Sequence, residues 1–142
     1  MIKKVCLFLA LAGSFLAACK DSSKKDPKAI GLLEGRKVDY IRKIPGKNDS
    51  IPEEVVRKGE VLMGYSDCYT CHRDDEKARG PAIRDIAARY PLNQVYIKML
   101  ASKVINGGSG AWGYAVMIPH PGLSEGDAEA MVTYILSLDT RP

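Results

Sequence analysis

The chain has 142 residues, with 21 Lys and Arg against 17 Asp and Glu, for a formal net charge of +4. At 46% apolar and 27% charged residues, its balance is that of a globular protein and excludes a disordered or fibrous one. The length suits one domain, the basicity is too slight for nucleic-acid binding, and no apolar run reaches the roughly 18 residues that span a bilayer.

The first element is an address. Met1-Ile2-Lys3-Lys4 is a short basic start, Val5 to Leu16 an apolar run, and Ala17-Ala18-Cys19 a small-residue ending. That order describes a secretory signal, and the Gly13-Ser14 interruption argues against a buried core helix. Leu16-Ala17-Ala18-Cys19 also resembles the bacterial lipobox. The resemblance implies cleavage after residue 18, lipidation of Cys19, and a protein held by its lipid in the bacterial cell envelope, facing the periplasm. Removal of residues 1–18 takes away Phe8 and Phe15, the only two phenylalanines, and leaves Cys19, Cys68 and Cys71 of the four cysteines. With Cys19 lipidated, an oxidising compartment turns Cys68 and Cys71 into a disulfide or commits them to a cofactor.

Residues 19–50 are rich in Lys, Asp, Ser, Gly and Pro and read as a basic tether. A flexible stretch of that length reaches roughly 30 Å. Ile30, Leu32, Leu33, Val38, Tyr40, Ile41 and Ile44 can order its second half against the domain. Residues 51–142 form that domain. Ser50-Ile51-Pro52-Glu53 reads as a helix start with Ser50 as N-cap, followed by an apolar face of Val55, Val56, Gly59, Leu62 and Met63. Helices are expected over Ala82–Arg89, stopped by Tyr90-Pro91, and over Asn93–Ile105, stopped by Asn106-Gly107-Gly108. The last helix runs from Ser124, with Asp127 in the capping-box position, to about Leu138. With no period-2 strand, the domain is expected to be all-α, and without phenylalanine its core is thin enough to need another filler.

Cys68-Tyr69-Thr70-Cys71-His72 has the C-x-x-C-H spacing of c-type haem attachment. Two thiols one turn apart can each bond a haem vinyl group, and the next residue puts an imidazole under the iron. A structural zinc site lacks a second ligand pair, a thioredoxin-like pair lacks its βαβ unit, and a plain disulfide leaves His72 unexplained. For the iron's sixth position the candidates are Met63, Met99, Met117, Met131 and His120. Met63, Met99 and Met131 lie in helical apolar patterns and read as packing. Met117 lies in the Gly- and Pro-rich stretch Gly107–Pro121 and is favoured over His120, which Pro119 and Pro121 restrict.

These motifs resemble those of class I cytochromes c, most closely the small bacterial monohaem carriers. The resemblance spans residues 51–142 and rests on Cys68-Tyr69-Thr70-Cys71-His72, Arg79-Gly80-Pro81-Ala82, Asn106-Gly107 before Trp112-Gly113, Met117 followed by Pro119, and Met131-Val132-Thr133-Tyr134-Ile135. It implies a small cytochrome c fold of about four helices around one haem c held by two thioethers. It implies Cys68 and Cys71 as attachment points, His72 and Met117 as axial ligands, and the Pro81 carbonyl as acceptor from the His72 ring. It implies Trp112, and Lys103 beside it, as propionate partners. Gly59 and Met63 would cross Met131 and Tyr134.

The expected function is one-electron transfer between a redox protein donor and an acceptor, by a monomer that is not an enzyme and binds no nucleic acid. His/Met ligation raises the iron's potential and leaves no open coordination site. Three alternatives remain open at this point: a dedicated haem subunit of an oxidoreductase complex, a haem sensor or peroxidase with a labile sixth ligand, and a lipoprotein with a Cys68–Cys71 disulfide and no haem.

Overall fold

A computed structural model describes residues 41–139. The signal segment expected over residues 1–18, the lipidation expected at Cys19 and the tether expected up to Tyr40 lie outside the described residues.

The first helix, α1, is Glu53–Tyr65. It does not use Ser50 as its cap, as expected; Pro52 takes the N-cap position with no side-chain hydrogen bond. The proline's fixed φ of −58° leads directly into the helix, and Glu53 and Glu54 put negative charge in the first turn, where the helix dipole favours it. Helix α2 is Ile83–Arg89 and ends where Tyr90, preceding Pro91, turns extended. Helix α3 is Gln94–Asn106. Asn93 caps it by accepting from Tyr96 N, and Gly107 stops it at φ 69°. Helix α4 is Glu125–Ser137, and Ser124 caps it with its hydroxyl, as the spacing predicts. Ser124 Oγ accepts from Asp127 N at 3.1 Å and donates to Asp127 Oδ2 at 2.8 Å.

The departure from an all-α framework is a small antiparallel hairpin, β1 (Gly108–Gly110) and β2 (Gly113–Met117), with an irregularity between Gly108 and Gly110. Gly108, Gly110 and Gly113 have φ of 124°, 114° and 99°, a region open to glycine. Strand reading depends on alternating buried side chains, and here β1 is wholly exposed and β2 nearly so, so no period-2 signal exists to find.

Helix α4 serves two hydrophobic clusters. One gathers Tyr90, Ile97, Ala101, Ala128, Val132 and Leu136; the other gathers Met63, Ile83, Met131 and Ile135, with Cys68 on its edge. Gly59 lets α1 cross α4 closely, since a Cβ there would stand 2.6 Å from the Ala130 carbonyl carbon. Met63 and Met131, both buried, pack together beyond that crossing. Lys58 bridges the same two helices to Asp127 at 2.7 Å.

The residues just before α1 lie on the link between α2 and α3. Ile44 N donates to Arg89 O and Asp49 N to Leu92 O, while Leu92 N donates to Asn48 Oδ1. Asp49 Oδ2 accepts from Gln94 N at 2.9 Å, putting a carboxylate at the start of α3. Lys43 pairs with Asp139 at 3.0 Å, beyond the end of α4. Residues 43–49 are thus bonded to the helical part of the chain.

Candidate functional site

Asp67 to His72 is one tight turn. Thr70 N donates to Asp67 O at 2.9 Å, and Cys71 N and His72 N both donate to Cys68 O, at 3.1 and 3.0 Å. This 3₁₀ turn, Cys68–Thr70, places the two cysteines about one turn apart. Both thiols are free and half-buried. Burial, and after it the charge of Asp67, pushes the Cys68 thiol up from its ordinary range. Tyr69, between them, is likewise raised, first by burial and then by Asp74 and Tyr134.

His72 is held on two sides. Its Nδ1 lies 2.8 Å from the Pro81 carbonyl oxygen. A carbonyl can only accept, so Nδ1 carries the hydrogen and Nε2 keeps its lone pair for a metal. Such a bond orients an imidazole ligand and raises its basicity. Gly80 packs flat against the ring: a Cβ there would stand 2.8 Å from Nδ1 and collide with Cε1. Gly80 N donates to Cys71 O at 2.9 Å, and Ile83 N and Arg84 N donate to Arg73 O and Asp74 O. The Gly80-Pro81 loop is therefore stitched to the Cys71–Asp74 stretch before α2 begins. Gly80 lay inside a motif named from the sequence, but no part was assigned to it there; its signal was a glycine immediately before Pro81.

Met117, Trp112 and Lys103 belong to a second grouping, around the hairpin and the end of α3. Met117 closes β2, half-buried, and pairs with Gly108. Its backbone rests on the end of α3, where a Cβ at Gly107 would stand 2.5 Å from Met117 O. Trp112 sits in the hairpin turn, edge-on to Tyr90 at 6.5 Å, with the Arg89 guanidinium 5.2 Å from its ring. The Lys103 ammonium reaches toward Gly108, 3.1 Å from where its Cβ would stand. Arg89 was not singled out from the sequence, because nothing local marks it as the cation that stacks on Trp112.

His120, the rival ligand, has both ring nitrogens engaged. Nδ1 lies 3.2 Å from Val104 O and Nε2 lies 3.3 Å from Asp67 Oδ1. A cleft of about 290 Å³ opens beside Cys68, between Asp67, Val104, His120 and Leu123. Among the described residues no group of three or more His, Cys, Asp or Glu side chains gathers as a metal cluster, and no helix is long and apolar enough to cross a membrane. Two free thiols one turn apart, beside an imidazole whose Nε2 is left available, are the donor set that a covalently attached haem requires. The residues present fit that group.

Comparison with known proteins agrees with this geometry. The family model described as cytochrome c matches residues 56–139. Cytochrome c-552 of Nitrosomonas europaea is 40% identical over 77 residues, covering 54% of this chain and 75% of its own. Cytochrome c-551 of Allochromatium vinosum is 38% identical over 78 residues, covering 55% of this chain and 83% of its own. The crystal structure of the N64Del mutant of Nitrosomonas europaea cytochrome c552 superposes with a TM-score of 0.52 at 38% identity, over 56% of this chain and 99% of that one.

Proposed function

The chain belongs to the cytochrome c family, whose small members carry electrons on one covalently attached haem c, and on that premise we propose that it shuttles single electrons between redox proteins of the bacterial envelope with iron held by His72 and Met117. The observation that carries this reading is the 2.8 Å contact from His72 Nδ1 to Pro81 O beside the two free thiols of Cys68 and Cys71.

Cys68 and Cys71 would hold the haem by thioethers, and His72 Nε2 and the Met117 sulfur would ligate its iron. Bound there, the group supplies a one-electron iron couple. The protein's part is to keep that couple from becoming anything else. The Pro81 carbonyl and the flat face of Gly80 fix the His72 ring, so the ligand does not rotate between oxidation states. A thioether ligand from Met117 would leave no coordination position open to small molecules. Trp112, with Arg89 on its ring and Lys103 nearby, supplies N–H and positive charge suited to a propionate. In this reading Cys19 carries the lipid and residues 19–50 lead from it to the domain, which faces the periplasm and works as a monomer.

The test is absorption spectroscopy of the holoprotein, oxidised and reduced, with and without carbon monoxide, beside Met117→Ala. The wild type should show a c-type spectrum, a weak far-red sulfur-to-iron band, and no response to carbon monoxide. Met117→Ala should lose the band and bind carbon monoxide. Ready carbon monoxide binding by the wild type would instead favour a sensor or peroxidase.

A further inference from the structure

Three separate stretches of chain meet at His120. Its backbone N–H donates to Val104 O at 3.2 Å and to Ile105 O at 3.0 Å. These carbonyls belong to the last turn of α3, which has no further helical N–H to satisfy them. The ring adds a second contact to Val104 O through Nδ1 at 3.2 Å. On its far side Nε2 stands 3.3 Å from Asp67 Oδ1, one residue before Cys68. His120 thus caps α3 from a segment well downstream and at the same time reaches the attachment turn.

We propose that His120 is a positioning residue, which ties the segment carrying Met117 to α3 and to Asp67 and so sets how firmly Met117 is presented as a ligand. The proposal rests on the reading that Met117 is the sixth ligand. Met117 lies three residues upstream, so a fixed His120 confines it within about 10 Å of chain reach. Pro119 removes one φ freedom from that short connection. The other end of the segment is confined as well, since Met117 O rests against Gly107. The two arms of His120 differ in weight. The imidazole side chain is 23% exposed, whereas that of Asp67 is 66% exposed, so water and salt weaken the Asp67 arm and the α3 arm dominates. Engaged this way, the ring serves the methionine as a brace.

The experiment is cyanide titration of the ferric full-length holoprotein, with the far-red band and thermal unfolding followed on the same samples. Cyanide competes with Met117, so its apparent affinity reads how often Met117 is displaced. His120→Ala should bind cyanide about fivefold more tightly, the factor that one lost neutral hydrogen bond corresponds to. Asp67→Ala should show a smaller increase, and adding it to His120→Ala should change nothing further. Ser124→Ala, which weakens the fold at α4 without touching these contacts, should leave the affinity as in the wild type. Cyanide affinity of His120→Ala and Asp67→Ala within twofold of wild type would overturn the proposal. So would an equal rise in Ser124→Ala, because the effect would then be general loosening. Should His120→Ala not yield holoprotein, His120→Leu, which keeps bulk but offers neither ring nitrogen, is read in its place by the same twofold criterion. Met117→Ala separates the two readings: if it keeps the far-red band, the ligand assignment itself fails, whatever His120 does.

Discussion

Between Asp67 and Ile83 the backbone is bonded to itself at nearly every turn, while between Gly108 and Met117 it doubles back as a glycine hairpin with its side chains outward. The first region holds the groups proposed for covalent attachment, two thiols and an imidazole, and its geometry is built from backbone bonds. The second holds the proposed distal ligand, and it takes its shape from glycine φ values, from Gly107 under Met117, and from Trp112 against Tyr90. One end of the site is stitched and the other is propped. Rigidity on the His72 side and tolerance on the Met117 side follow from that difference.

Glycine substitutions break the comparison most sharply, because a glycine acts by contact in one region and by conformation in the other. Gly80→Ala drives a methyl into the His72 ring and should destabilise the holoprotein by about 3 kcal/mol, at the upper end for an overpacked site. Guanidinium unfolding followed at the Soret band checks this, and the spectrum itself should change as the imidazole is pushed. Gly110→Ala meets nothing within 4 Å, yet its φ of 114° suits only glycine. It should cost about 1 to 2 kcal/mol in the same unfolding experiment, with the spectrum unchanged. Equal spectral effects from the two variants would erase the distinction between the regions.

A smaller effect sharpens the account at the start of α4, outside both regions. Hydrogen bonding from Lys58, then from Ser124, holds the Asp127 carboxyl below the usual carboxylate range. A carboxyl depressed in the folded state adds stability that is present above its unfolded value and is lost as pH falls through its folded value. Asp127→Asn should therefore be less stable than wild type near neutral pH, and the gap should close as pH drops below the ordinary carboxylate range. Paired thermal unfolding curves across that range are the check; a gap independent of pH would assign the loss to the cap alone.

Much of this was legible in local sequence. The caps at Asn93 and Ser124, the stop at Gly107 and the attachment turn are all decided by residues within a few positions of each other. At the first helix the cap position falls on Pro52 and not on Ser50, two residues earlier, so the hydroxyl stands outside the helix. What could not be read was decided at a distance. Asp49 on Gln94, Ile44 on Arg89 and His120 on Asp67 join segments far apart in the chain, and no periodicity marks such pairs. The hairpin escaped for the opposite reason, since its glycines form a strand pair with no buried face to leave a pattern.

The central claim is that Met117 completes the coordination begun by His72. Its most direct test is proton NMR of the reduced holoprotein with methionine methyl groups labelled. The account predicts one methyl signal shifted far upfield by the haem ring current, assigned to Met117 by its loss in Met117→Ala. An upfield methyl that survives that substitution, or none in the wild type, would contradict it.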